Sequence, residues 1–206
     1  MSADFSNEIL ENNKRFLARK GLFKKFGYDI DKDREFILDH SGPIQGRILE
    51  AGTGKGHFAI ALAKRGYKFT TFDISQEEQR IARMNLAYAA LEKAVEFKVE
   101  NGEHTTFPSG SFDVIFSVNV IHHLDNPYKV VDEMIRILSP NGKIILVDFT
   151  AKGFEIIDKI HALEGGKHGT GKAPLSDIRA YAEKKNFSVK EIRGEHQQIM
   201  IITRKG

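Results

Sequence analysis

The sequence contains no cysteine and no tryptophan, and only 5 of its 206 residues are proline. Without cysteine there is no disulfide bridge, no thiolate metal ligand and no cysteine nucleophile. No apolar run approaches the roughly 20 residues that a membrane-spanning helix needs. The N-terminal residues also lack the charged and then apolar pattern of a secretory signal. These absences predict a cytoplasmic protein that does not enter a membrane.

Charge and composition narrow the class further. The net charge of +3, with 41% hydrophobic and 29% charged residues, is ordinary for one folded domain, and it gives little indication of a nucleic-acid partner. The most basic segment holds six cations and no acid: Lys14, Arg15, Arg19, Lys20, Lys24 and Lys25. On a helix these charges would spread around the whole circumference. We therefore interpret this segment as solvated surface and predict no nucleic-acid partner. The pattern indicates no particular oligomeric state.

Apolar strands alternate with amphipathic helices through the middle of the chain. Strands are predicted at residues 47–50, 95–99, 112–118 and 143–149, with one more ending at Asp73. This alternation predicts a parallel sheet covered by helices on both faces. Near the end, strands at 187–193 and 197–203 are joined by three residues, which permits only an antiparallel hairpin. We expect an α/β fold with a doubly wound, Rossmann-like, seven-stranded sheet, mostly parallel, with a C-terminal antiparallel hairpin.

A glycine loop follows the first predicted strand, in the sequence LEAGTGKGH at residues 49–57. In an open α/β sheet, ligands bind beyond the carboxyl ends of the strands. Glycine lets the backbone approach a ligand without a clash from Cβ. The free N–H groups at the start of the following helix attract an anionic group. This loop is therefore the predicted ligand site.

Asp73, at the end of the next predicted strand, points to an adenosine ligand. A carboxylate there can accept hydrogen bonds from both hydroxyls of a ribose. A dinucleotide motif G-x-G-x-x-G would require glycine at position 57, which is His57 here. Glu50, two residues before the first glycine, would repel a pyrophosphate but suits a cationic ligand. S-adenosylmethionine is therefore favoured over a nicotinamide cofactor.

Four blocks in order carry a resemblance to a known family. They are LEAGTGKG, then FDIS, then ENGEHTTFPSGSFDVIFSVNVIHHL, and then RILSPNGKIILVDF. Over about residues 45–150 the sequence resembles the class I S-adenosylmethionine-dependent methyltransferases. Within them it is similar to the methyltransferase type 11 group, which includes quinone-biosynthesis enzymes. The resemblance implies that S-adenosyl-L-methionine is the cofactor.

The resemblance also implies which residues contact the cofactor. Glu50 would orient the methionine ammonium group, Asp73 would hold the ribose hydroxyls and Ile74 would pack on the adenine. The family commonly has an acid at position 101, so Asn101 is a departure, and Glu103 can share its role at the adenine amino group. The full set is Glu50, Ala51, Gly52, Gly54, Gly56, Asp73, Ile74, Asn101, Gly102, Glu103, Asn119 and Tyr28. In this set the three loop glycines form the floor, residue 119 faces the sulfonium and residue 28 closes over the cofactor.

We expect one domain of four parts. Residues 1–44 form an N-terminal helical cap and residues 45–150 the cofactor-binding core. Residues 151–174 are glycine-rich and show no hydrophobic period, so they are expected to be an irregular, lid-like segment. Residues 175–206 form a helix and the terminal hairpin.

Histidines are the candidate bases. Methyl transfer is a direct displacement that needs chiefly alignment, and a base is needed only if the acceptor loses a proton. A neutral imidazole near pH 7 suits that role, and the predicted catalytic residues are His123, His161, His168 and His196. His57 is expected on the surface. We predict no metal, because the spacing of residues 161 and 168 is not a recognised metal-ligand spacing.

A small-molecule acceptor is expected. The end of the fourth predicted strand reads SVNV, not the Asn/Asp-Pro-Pro-Tyr/Phe block of enzymes that methylate the adenine amino group. The absence of cysteine argues against methylation of pyrimidine C5, and no added recognition domain is visible. Two alternatives stay open: a nicotinamide-dependent oxidoreductase and a non-catalytic adenosine-binding regulatory protein.

Overall fold

The computed structural model describes residues 3–165 and 173–206. The strands are β1 Ile48–Ala51, β2 Phe69–Asp73, β3 Val95–Val99, β4 Phe112–Val118, β5 Leu138–Phe149, β6 Phe187–Arg193 and β7 Gln197–Arg204. The helices are α1 Ala3–Lys25, α2 Ile30–His40, α3 His57–Lys64, α4 Gln76–Tyr88, α5 Pro127–Ile137, α6 Ala151–Leu163 and α7 Leu175–Lys184. None of the helices within these ranges is both long and apolar enough to cross a bilayer.

The strands form one seven-stranded sheet in the order β3-β2-β1-β4-β5-β7-β6. The first five strands are parallel, whereas β7 runs antiparallel to both β5 and β6. The predicted sheet and its C-terminal hairpin are therefore confirmed. Along β4, Ile115 belongs to the apolar core on one face, and Val114 and Phe116 belong to the core on the other face. Both faces are covered, as expected for a parallel sheet.

The expectation of an irregular segment after β5 is wrong for its first half, because residues 151–163 form α6. The hydroxyl of Thr150 caps this helix by accepting the N–H of Gly153 at 3.2 Å. Ile156 and Ile160 are buried against α1 and α2, in a cluster that also holds Tyr28. Burial of this apolar face outweighs the glycine inside the helix. Residues 166–172, in the second half, lie outside the described residues.

The junction between α5 and β5 also differs from expectation. The Pro-Asn-Gly sequence at 140–142 was expected to stop the helix, with the strand starting at 143. The helix already ends at Ile137, and β5 begins at Leu138. Phe112 pairs with Leu138 but Val114 pairs with Lys143. The residues between those pairs form a bulge, which accommodates a proline inside the strand.

Candidate active site

A cavity of about 740 Å³ opens at the carboxyl ends of β1, β2 and β4. This is the edge at which an open parallel sheet binds ligands. Ten of the twelve predicted cofactor contacts line it: Glu50, Ala51, Gly52, Gly54, Asp73, Ile74, Asn101, Gly102, Glu103 and Asn119. The sequence therefore located most of this wall.

The glycine loop forms the floor of this cavity. The N–H groups of Gly52 and Thr53 both donate to the carbonyl of Phe72, at 2.9 and 3.0 Å. Gly52 has a φ of +90°, and a Cβ there would collide with Val120. Gly54 has a φ of +47°, and a Cβ there would meet nothing within 4 Å. Gly54 thus exposes its backbone to the open cavity.

Asp73 is held at the cavity wall by two backbone N–H groups. Its Oδ2 accepts the N–H of Gly54 at 2.8 Å, and its Oδ1 accepts the N–H of Ser75 at 2.9 Å. Each carboxylate oxygen can accept more than one hydrogen bond. The side chain is therefore fixed in place while it keeps acceptor capacity for the hydroxyls of a ligand.

Glu50 is a buried acid at the end of β1, with 1% of its surface exposed. The hydroxyl of Thr71 donates to its Oε2 at 2.6 Å. Burial raises the pKa of Glu50 from 4.5 to about 8, although the Thr71 bond and the charge of Arg34 act in the opposite direction. A cationic group placed beside Glu50 would favour its ionised form. The site therefore suits a ligand that brings a positive charge.

Arg34 lines the same cavity and was missed in the sequence. It lies on α2 and is 8% exposed. Its Nη1 donates to the hydroxyl of Tyr28 at 3.3 Å, while its Nε has no hydrogen-bond partner among the described residues. The helical spacing could have indicated its burial, because Ile30, Arg34 and Ile37 lie on one face of α2 and that face is buried. A buried cation here can bind an anionic ligand group.

The end of β4 presents two buried polar atoms to the cavity. Ser117 Oγ and Asn119 Oδ1 have no hydrogen-bond partner within the described part of the chain. Asn119 has a φ of +58°, and its N–H donates to the carbonyl of Val147 at 2.8 Å. Unpartnered buried polar atoms are costly. A polar ligand would supply their partners, so these atoms fit a cofactor bound in this cavity.

The loop after β3 forms the opposite end of the cavity. Asn101 Oδ1 accepts the N–H of Glu103 at 2.9 Å. The carboxylate of Glu103 accepts from Asn126 Nδ2 at 2.9 Å, and this bond holds the pKa of Glu103 below its usual range. Ile74 stands at the rim with 68% of its surface exposed. This end of the cavity therefore has one apolar side chain and several polar groups, which suits a flat heterocyclic ring such as adenine.

Gly56 and Tyr28 are the two predicted cofactor contacts that do not line the cavity. Gly56 has a φ of +81°, and a Cβ there would lie 3.1 Å from Ala82 Cβ, so this glycine allows α3 and α4 to pack closely. Tyr28 is fully buried, its hydroxyl accepts from Gln197 Nε2 at 2.8 Å and its ring contacts Phe149 edge-on. The structure gives both residues packing roles.

The structure describes three of the four predicted catalytic histidines, and these three are not gathered at one point. Of the three that the structure describes, His123 is among the residues that line the cavity. His196 is buried elsewhere, with Nδ1 3.3 Å from Asp33 Oδ2. His161 lies on α6, and His168 is outside the described residues. Among the described residues no group of three or more His, Asp or Glu side chains is placed to hold a metal ion.

Two histidines have surroundings that the sequence did not predict. His57 was expected on the surface, but its ring stacks on Phe16 of α1 at 4.4 Å and it lines the cavity. Burial, followed by the charge of nearby cations such as Arg34, holds the pKa of His57 well below its usual value. His122 Nδ1 lies 2.5 Å from Asp148 Oδ1, and both groups are buried. The pair fixes the short turn that carries His123.

Comparison with known proteins agrees with this geometry. Residues 49–146 match the family model described as a methyltransferase domain. The 27-O-demethylrifamycin SV methyltransferase of Amycolatopsis mediterranei is 32% identical over 141 residues, 66% of this chain and 51% of that protein. The ubiquinone biosynthesis O-methyltransferase of Sodalis glossinidius is 28% identical over 134 residues, 63% of this chain and 52% of that protein. The chain thus spans about half the length of these relatives.

The fold comparison gives the same class. A methyltransferase from Aquifex aeolicus described as SAM-dependent superimposes with a TM-score of 0.63 at 20% identity, over 82% of this chain and 88% of that one. The sheet order, the glycine loop and the position of the cavity are those of a Rossmann-like fold. The chain is thus similar to the class I S-adenosylmethionine-dependent methyltransferases in its domain match and in its fold, which agrees with the resemblance carried by the sequence blocks.

Proposed function

We propose that this chain transfers a methyl group from S-adenosylmethionine to a small-molecule acceptor. One observation carries the proposal: a single cavity joins the acid Glu50, the acid Asp73, the open backbone of Gly54 and the unpartnered oxygen of Asn119. In this proposal Glu50 faces the ammonium group of the cofactor and Asp73 faces its ribose. Gly54 lets the backbone approach the cofactor closely, and Asn119 faces the sulfonium. Arg34 adds a cation suited to the carboxylate of the methionine part.

The chemistry explains why such a site needs few reactive side chains. When bound, S-adenosylmethionine supplies an electrophilic methyl group on a positively charged sulfur. Direct displacement at that carbon requires that the acceptor be held in line, and alignment alone can lower the barrier by about 7–11 kcal/mol. Asp73 and the glycine loop are hydrogen-bonded to each other, and in this proposal they hold the cofactor end of that line.

We propose that the acceptor carries a hydroxyl group and that His123 takes its proton. The two named relatives support this choice, because their descriptions specify methylation at oxygen. Among the predicted bases that the structure describes, His123 is the one that lines the cavity. A hydroxyl must lose its proton as it is methylated, and an imidazole near neutral pH can accept it.

The two alternatives of other classes are not favoured by the family match. A nicotinamide-dependent oxidoreductase would place a pyrophosphate beside Glu50. A regulatory protein would bind S-adenosylmethionine without turnover. Calorimetric titration with S-adenosylhomocysteine and with NADH decides the first question, since tighter binding of NADH would refute the proposal.

Turnover decides the second question. We expect a screen of small-molecule extracts, followed by release of S-adenosylhomocysteine, to identify an acceptor. Alanine variants of Asp73 should lose that release in parallel with cofactor affinity. A chain that binds S-adenosylhomocysteine tightly but turns over no acceptor in any extract would support the regulatory protein instead.

A further inference from the structure

A second, smaller pocket of about 200 Å³ lies between α1 and α4, next to the glycine loop. Its walls are Asn12, Arg15, Phe16, Arg19, Lys55, His57, Glu77, Arg80, Ile81 and Met84. Lys55 and His57 also line the main cavity, and these two are the shared residues. No lining residue of the small pocket comes from the end of β4. Its occupant would therefore touch the glycine loop from the side away from the acceptor.

The pocket has a surplus of positive charge. Four cations line it, from α1, the glycine loop and α4, against the single acid Glu77. Glu77 is engaged by Arg80 at 2.9 Å, Arg80 also pairs with Glu8, and Arg19 pairs with Glu164; neither Glu8 nor Glu164 lines the pocket. Among the described residues, neither Arg15 nor Lys55 forms an ion pair. Cations left without counter-charges at a concave site attract an anion.

This finding changes the interpretation of the basic run on α1. Lys14 pairs with Glu11 at 2.6 Å and Lys24 pairs with Asp29 at 3.2 Å, as expected for a solvated surface. Arg15 instead projects to the pocket, where the cations of α1 meet Lys55 of the glycine loop. Part of the basic segment of α1 therefore lines a pocket. The cations of the pocket come from α1, the glycine loop and α4, so the tertiary fold brings them together.

The walls of the pocket are fixed by packing and by a buried polar chain. Asn12 Nδ2 donates to Asn85 Oδ1 at 2.7 Å, and Asn85 Nδ2 donates to the carbonyl of Lys55 at 2.9 Å. Phe16 and His57 stack with an interplanar angle of 18°. These contacts tie α1, α4 and the glycine loop together. A pre-organised site loses less entropy when it binds a ligand.

His57 reports the electrostatic potential at this wall. Its pKa is held well below the usual value first by burial and then by the charges of Arg34, Lys20, Lys55 and Arg19. A neutral imidazole surrounded by cations indicates positive potential on the side where the two cavities meet. Geometry and charge thus agree on the sign of the occupant.

We propose that the pocket between α1 and α4 binds the phosphate group of a small molecule, as a second ligand besides the cofactor and the acceptor. Three guanidinium groups, from Arg15, Arg19 and Arg80, reach it from two helices. Guanidinium groups bind phosphate oxygens in pairs, which suits a tetrahedral anion with several acceptors. The apolar floor of Ile81 and Met84 leaves room for a short carbon chain beside the phosphate.

The test is a calorimetric titration with inorganic phosphate, compared with chloride at equal ionic strength. The variant is Arg15→Gln, and the matched control is Lys14→Gln, the adjacent cation on the same helix that does not line the pocket. We expect phosphate to bind the wild-type chain and the control equally. We expect Arg15→Gln to bind it about tenfold more weakly, as for loss of one charge-assisted contact. Circular dichroism confirms that each variant is folded.

The titration is repeated with saturating S-adenosylhomocysteine, which separates this site from the main cavity. Phosphate binding that persists there and remains sensitive to Arg15→Gln supports a separate site. Binding that disappears with S-adenosylhomocysteine places the anion in the main cavity and overturns the proposal. Equal binding by wild type and Arg15→Gln, or no preference over chloride, also overturns it. The readout needs no methyl transfer, so it does not depend on the proposed function.

Discussion

Asp73 Oδ2 accepts the N–H of Gly54 at 2.8 Å, which joins the end of β2 to the glycine loop after β1. The second carboxylate oxygen accepts the N–H of Ser75, the residue that caps α4. One side chain thus fixes the loop and the start of a helix around the same cavity. Asp73 therefore orders the wall of the cavity, and we propose a second role for it, at the hydroxyls of a ribose.

The first prediction follows from this double role. Asp73→Ala should weaken S-adenosylhomocysteine binding by about 1.5–3 kcal/mol, the range for a lost hydrogen bond to a charged group. Calorimetric titration measures the change. Glu96→Ala is the matched control, because Glu96 is an exposed acid on the neighbouring strand β3. Unchanged affinity in Asp73→Ala would show that this carboxylate does not hold the ribose.

Two glycines with similar backbones test whether the loop touches the cofactor. Gly54 has a φ of +47° and Gly110 a φ of +69°, and a Cβ at either position would meet no atom within 4 Å. Gly54 lines the cavity whereas Gly110 does not. Valine at either position adds backbone strain, but only Gly54→Val should abolish binding of S-adenosylhomocysteine. Binding retained by Gly54→Val, measured by calorimetry, would mean that the loop stands away from the ligand.

Local sequence was sufficient to predict most of the sheet. Strand β6 was predicted with the observed bounds, and its antiparallel pairing with β7 was predicted because three residues cannot connect parallel neighbours. Most of the residues predicted to contact the cofactor line one cavity, because Glu50 and Asp73 lie near the ends of β1 and β2 and Gly54 lies in the loop after β1. Residues at the carboxyl ends of parallel strands lie at one edge of the sheet, and the sequence shows which residues stand at those ends.

Features that depend on contacts between distant segments were missed. Helix α6 was hidden by Gly153, yet a Cβ there would collide with the carbonyl of His196 in the terminal hairpin, so packing requires the glycine. His57 was assigned to the surface because nothing near it in sequence indicates that Phe16 stacks on it. Arg34 reaches the cavity only because α2 packs beside α3. The helical period places Arg34 on the buried face of α2, but it does not show which cavity that face meets.

Glu50 predicts a dependence of cofactor affinity on pH. Its pKa in the ligand-free protein is raised by burial to about 8, so it is largely protonated at pH 6. Binding of a cationic methionine group favours the ionised form, and the proton must leave. Affinity for S-adenosylmethionine should therefore rise by up to about tenfold per pH unit toward pH 8, measured by calorimetry at pH 6, 7 and 8. Glu50→Gln should bind more weakly and lack this dependence.

The same shift predicts an effect on stability. In the unfolded chain Glu50 has a pKa near 4.5, and in the folded chain a pKa of about 8. Between these values the unfolded state loses its proton first, so this group's contribution to folding is present below pH 4.5 and is lost as the pH rises through 8. Urea unfolding without ligand should show Glu50→Gln more stable than wild type at pH 8.5. Equal stability across the pH range would contradict the raised pKa.

The last prediction concerns the base. His123 follows Asn119 by four residues, and its N–H donates to the carbonyl of Val120 at 2.9 Å within the short turn after β4. His122, clamped by Asp148, holds that turn, so loss of the His123 ring should leave the backbone in place. For a hydroxyl acceptor, His123→Ala should lower kcat by about 10²–10⁴-fold, the usual contribution of a general base. S-adenosylhomocysteine affinity should change little, because the ring acts on the acceptor.

His161→Ala, on α6 and outside the cavity lining, is the matched control and should keep wild-type turnover. The rising limb of the pH–rate profile should also disappear in His123→Ala, which a purely structural role would not cause. Full turnover by His123→Ala with an unaltered pH profile would remove the histidine base and leave alignment as the whole of the catalysis.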